Sequence, residues 1–87
     1  MYVIIVYDVS VERVSKVCQF LREYLNWIQN SVFEGELTKS ELKQIEMRLR
    51  DIINENEDSI VIYILPSEKP LQKKYIGVRK TEPAVVI

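Results

Sequence analysis

Two short stretches limit what this chain can fold into more than anything else in it: YVIIVY at residues 2–7 and IVIYIL at residues 60–65. Neither alternates apolar with polar side chains. A strand with one face in water repeats with a period of two, so an unbroken β-branched and aromatic run is the pattern of a strand covered on both faces, and both runs read as central strands of a sheet. Covering material is scarce, because 87 residues make a single domain. With 47% hydrophobic residues the chain is too apolar for disorder, so it must solve this problem by folding compactly.

After the first strand the period changes. Val11, Val14, Cys18, Leu21 and Leu25 recur at spacings of three and four, with Val17, Phe20 and Tyr24 beside them and Glu12, Arg13, Lys16, Arg22 and Glu23 elsewhere. That spacing predicts one amphipathic helix of about four turns. Residues 26–37 (NWIQNSVFEGEL) then place Trp, Ile, Val and Phe at strand-like positions. With Asn30-Ser31 as a turn and Gly35 as a bulge, they read as a short hairpin or one bent strand. Thr38-Lys39-Ser40-Glu41 fits a capping box, and Leu42, Ile45, Leu49, Ile52 and Ile53 carry the second helix to about Asn54. The polar break NENEDS separates it from the last strand, which stops at Pro66.

The resulting order, βαββαβ, predicts an α+β fold of ferredoxin-like type, with both helices on one face of a four-stranded antiparallel sheet. Residues 1–66 form the core and residues 67–87 an extension. The second face of the sheet is left bare although the two apolar strands look buried on both sides. Within the extension Tyr75-Ile76-Gly77-Val78 reads as an extra short strand, and the last four residues are Ala-Val-Val-Ile. The economical expectation is a two-fold homodimer packed sheet to sheet, with the extension pairing onto an edge strand of the partner.

Composition removes several chemistries. Cys18 is the single cysteine, so there is no disulfide framework and no cysteine metal site, and the absence of histidine excludes Ser-His and Cys-His nucleophiles and the usual zinc sites. Catalysis would have to come from carboxylates, hydroxyls, Lys, Arg or a hard metal ion. The net charge of −1 favours neither nucleic acid nor an acidic partner, yet its distribution is uneven. Residues 34–58 hold eight acids and four bases, whereas residues 66–87 hold five bases and two acids, so that end can face phosphate. No apolar run is long enough for a spanning helix and the first one meets Asp8 too early for a signal peptide, so a cytoplasmic protein is expected.

Asp8 is the residue left with two readings: an N-terminal cap for the first helix, in competition with Ser10, or a carboxylate with chemistry to do. Three stretches bear on it together: YVIIVYDVS at residues 2–10, WIQNSVFEGEL at residues 27–37 with its Thr38 and Glu41 helix entry, and DSIVIYIL at residues 58–65. In order and spacing they resemble CRISPR-associated protein 2, and NSVFEGEL is the most specific part of the likeness. The resemblance implies a ferredoxin-like homodimer that bridges integrase subunits during spacer acquisition and offers a flat basic platform to double-stranded prespacer DNA. It also implies, for some members, a metal-dependent endonuclease acting on RNA or DNA.

By that resemblance Asp8 is the catalytic and metal-associated aspartate. Two copies would hold one weakly bound Mg²⁺ between subunits, an ion that needs only one or two protein carboxylates. Departures from the family pattern are visible too. Only Glu12 remains as a second acid after the strand, and no arginine directly precedes Gln29, which weakens the nuclease more than the scaffold. Lys73, Lys74, Arg79 and Lys80 are the first nucleic-acid-binding candidates, followed by Arg13, Lys16 and Arg22. Ser31 and Phe33 match the motif but have structural explanations in turn and core. A small-molecule-binding regulatory ferredoxin-like dimer is the alternative that fold alone leaves open.

Overall fold

A computed structural model describes residues 1–78 of the protein. Its elements are β1 (Tyr2–Asp8), α1 (Val11–Leu21), β2 (Asn26–Gln29), β3 (Val32–Glu36), α2 (Lys39–Ile52) and β4 (Ser59–Leu65). The strands form one sheet in the order β2-β3-β1-β4, with every neighbouring pair antiparallel. This is the expected βαββαβ arrangement.

Alternation along β1 divides the sheet into two unlike faces. Val3, Ile5 and Tyr7 point to the side where Val17, Cys18 and Leu21 of α1 meet Leu42, Ile45 and Leu49 of α2, so both helices share one core. Phe33 of β3 is fully buried there and stacks on Tyr7 with ring centroids 6.2 Å apart. The opposite face carries Tyr2, Ile4, Val6 and Asp8 of β1, in register with Val32 and Glu34 of β3 and with Ser59, Val61, Tyr63 and Leu65 of β4. No helix covers it. Val61 and Tyr63 remain 45% and 55% exposed.

Several local expectations hold for local reasons. The Thr38 N–H donates to Glu41 Oε1 at 2.9 Å and the Glu41 N–H donates to the Thr38 hydroxyl at 3.1 Å, completing the capping box. Asn30 turns the β2–β3 hairpin at a φ of 35°, a left-handed conformation that asparagine tolerates. Its carbonyl accepts from the Trp27 indole at 3.1 Å. Met1 is also held, because its ammonium donates to the Leu37 carbonyl at 3.0 Å while the Leu37 N–H donates to the Met1 carbonyl at 2.8 Å.

Four expectations are corrected. α1 has 11 residues, about three turns rather than four, and Leu25 reaches the core from the turn beyond it. Val11 is 86% exposed and off the apolar stripe. The bulge lies between Trp27 and Gln29, not at Gly35, which pairs regularly with Val3. Gly35 is small for another reason: a Cβ there would stand 3.0 Å from Leu25 Cδ2. Finally, Tyr75 to Val78 form no strand within the described chain, and Gly77 adopts a φ of 87°. The terminal Ala-Val-Val-Ile lies outside the described residues.

Phe33→Ala should cost about 3–5 kcal/mol, since it leaves a cavity beneath both helices at a site with no solvent access. Urea unfolding should show this as a lowered midpoint with an unchanged slope.

Candidate metal and nucleic-acid site

Asp8 is the last residue of β1 and pairs in the ladder with Ser59, the first of β4. Its side chain is exposed on the face without helices, and no described group hydrogen-bonds its carboxylate. The capping reading therefore fails for Asp8. Ser10 is the N-cap residue by position, yet its own side chain makes no capping bond either. Tyr7 points to the opposite face, buried, with its hydroxyl 3.5 Å from the Asn30 carbonyl, so it is a core residue and not a phenol beside Asp8.

What fixes this end of the sheet is Asp58, a residue that pattern reading passed over. Its side chain has no solvent exposure and collects four donors: the Ser10 N–H at 2.9 Å, the Asn54 N–H at 2.9 Å, and Arg13 through Nε at 2.6 Å and Nη2 at 3.1 Å. The Arg13 hydrogen bonds hold its carboxyl well below the usual carboxylate range, with the Asn54 and Ser10 N–H groups helping against the cost of burial. The available signal was an acid closing a polar loop directly before an apolar strand. Such a residue can accept from the backbone of its own loop, as Asp58 does from Asn54.

Two of the expected phosphate-binding cations are engaged within the chain. Arg13, besides holding Asp58, donates to Glu12 at 2.7 Å and to Glu57 at 2.8 Å, so three carboxylates surround it. That geometry gives Arg13 a structural task within the chain. Lys73 reaches back onto the bare face and donates to the buried Glu34 carboxylate, which also accepts from the Tyr2 hydroxyl at 2.8 Å. Glu68 lies 3.7 Å from the same ammonium. The Glu34 hydrogen bond raises the Lys73 pKa, while burial, followed by that same carboxylate, pushes the Tyr2 phenol up.

Lys16 and Lys74 are exposed, and Arg22 is half-buried near the Tyr7 phenol. Arg79 and Lys80 lie outside the described residues. Among the described residues no group of three or more His, Cys, Asp or Glu side chains is placed to hold a metal ion. None of their helices is long and apolar enough to cross a membrane.

Fold and site thus define a ferredoxin-like domain with a bare apolar face and an unshared carboxylate at its end. A family model described as CRISPR associated protein Cas2 matches residues 1–73. The CRISPR-associated endoribonuclease Cas2 of Methanosarcina acetivorans is 53% identical over the whole of both chains. That of Pyrococcus furiosus is 54% identical over 92% of each. A crystal structure of a Cas2 protein, 50% identical, superposes with a TM-score of 0.85 over 100% of this chain and 98% of the other. The chain belongs to the CRISPR-associated Cas2 family.

Two outcomes follow from these ion pairs. Because the folded Asp58 pKa is depressed, its stabilisation is present above the unfolded carboxylate pKa of about 4 and is lost as pH falls toward the folded value. Asp58→Asn should therefore be less stable than wild type at neutral pH, with the gap in melting temperature closing below about pH 4. Lys73→Met should free the segment around residues 72–76 without unfolding the sheet. Limited trypsin digestion should then cut after Lys74 faster while the residue 1–66 core persists.

Proposed function

We propose that this chain works in the cytoplasm as a two-fold homodimer in CRISPR spacer acquisition, a scaffold that binds prespacer DNA and bridges integrase subunits. The observation that carries the proposal is the bare sheet face, where Ile4, Val6, Val32, Val61 and Tyr63 stand without a helix above them. A second copy is the partner whose apolar face matches it by symmetry. Residues 67–87 then act as an extension that pairs onto the partner's edge strand. Support comes from β4, whose outer edge has no strand partner among the described residues, and from Ile76 and Val78, 98% and 91% exposed. DNA is held through phosphate by Lys16, Arg22 and Lys74 together with Arg79 and Lys80, so affinity falls with salt and shows little base preference.

A second reading, metal-dependent cleavage of RNA or DNA, is favoured by the unshared Asp8 carboxylate and by the relatives' designation as endoribonucleases. Asp8 fits Mg²⁺ as one protein ligand among waters, and a second Asp8 from the other subunit would complete the pair. When bound there, the ion would polarise a phosphodiester and lower the pKa of a water. Asp8 itself would hold and orient that ion.

Labelled RNA and duplex DNA incubated with Mg²⁺, Mn²⁺ or chelator test both readings. Wild type should cleave only with metal, and Asp8→Asn, verified as a dimer by light scattering, should fall to background while keeping its DNA affinity. Equal cleavage by both proteins removes the enzymatic reading. A monomer at micromolar concentration, or unchanged DNA affinity after reversing the charges of Lys74, Arg79 and Lys80, removes the scaffold.

A further inference from the structure

We infer that Asp58, locked by Arg13, is a positioning residue that fixes the turn after β1 and so sets where the Asp8 carboxylate stands. The inference rests on the reading of Asp8 as a working carboxylate. Two bonds from one short segment hold the chain on either side of that turn. Upstream, Asp8 pairs in the ladder with Ser59; downstream, the Ser10 N–H bonds the carboxylate of Asp58, the residue just before Ser59. Only Val9 lies between Asp8 and Ser10.

The same carboxylate reaches the first turn of α1 through Arg13 and the end of α2 through the Asn54 N–H. Three segment ends therefore converge on one buried group. The Arg13 contact uses Nε and Nη2 against the two carboxylate oxygens, a fork that fixes orientation as well as distance. Lysine would bring the charge without the fork. Neither Ser10 nor Asp8 caps α1 with its side chain; Asp58 instead accepts from the N–H of the N-cap residue Ser10, the donor that an N3 carboxylate takes in a capping box. Asp8 gains from this arrangement because its carboxylate stays unbonded while its backbone is held on both sides.

Asp58→Asn and Arg13→Lys, each in the full-length chain, test the inference by two readouts. Amide hydrogen exchange should show the Ser10 N–H losing protection at least about tenfold beyond any loss along β1 and β3. Mn²⁺ binding, followed by the paramagnetic signal of the free ion, should weaken about tenfold in both variants and be lost in Asp8→Asn. Protection lost evenly across the sheet would overturn the inference, leaving Asp58 a stability residue only. So would Mn²⁺ affinity that is unchanged in both variants yet abolished in Asp8→Asn. If Asp8→Asn binds Mn²⁺ as wild type does, the metal reading of Asp8 fails by itself, and the exchange result alone decides the positioning.

Discussion

β1 is bonded along both of its edges, to β3 through residues 2–6 and to β4 through residues 2–8, and the other elements take their places from that fact. A strand bonded on both sides can move neither in register nor in tilt without breaking two ladders. Helices are then confined to its faces, and the two present share one face and one core. The opposite face is apolar because β1 and β4 supply branched and aromatic side chains there, and with both helices spent the described chain has no third to lay over it. Surface of that kind on a single chain is the strongest physical pressure toward self-association in the molecule.

How far the sequence spoke depended on how far apart the interacting groups are along the chain. The Thr38–Glu41 capping box and the Asn30 turn were legible because each is decided within four residues. The unalternating runs announced an apolar second face and read as two central strands; β1 is central, but β4 proved to be an edge strand beside it, because covered faces leave the same apolar run whether or not the outer edge is paired. Gly35 was misread as a bulge because the need for a small residue there comes from Leu25, ten positions away. Asp58 was invisible for the same reason on a larger scale: Arg13 and Ser10, which it binds, lie 45 and 48 residues upstream. Pairing of that range leaves no periodicity to read.

The charges teach a related lesson. Arg13 and Lys73 carry the same formal charge as Lys16 and Lys74, and composition cannot separate the two sets. Arg13 is enclosed by Asp58, Glu57 and Glu12, and Lys73 by Glu34, so their fields are largely cancelled at short range and contribute little to steering a polyanion. The buried carboxylates gain in return, since Glu34 and Asp58 would be costly to bury without a cation beside them. A basic segment in the sequence is thus an upper bound on a basic surface.

Asp8 stands outside this accounting, as do Glu23, Glu46, Asp51 and Glu55, but it alone of these sits at the end of a sheet strand. Glu34 and Asp58 each have a cation of their own, whereas Asp8 has no hydrogen-bonded or ion-paired partner among the described residues. In a two-fold dimer any residue close to the axis meets its own copy, and two carboxylates brought together repel unless a proton or a cation lies between them. The scaffold reading tolerates Asp8 anywhere on the rim. The metal reading requires it near the axis. The separation of the two Asp8 carboxylates across the dimer is therefore the quantity that divides the readings: a pair within reach of one ion would keep its repulsion low only by holding that ion or a shared proton.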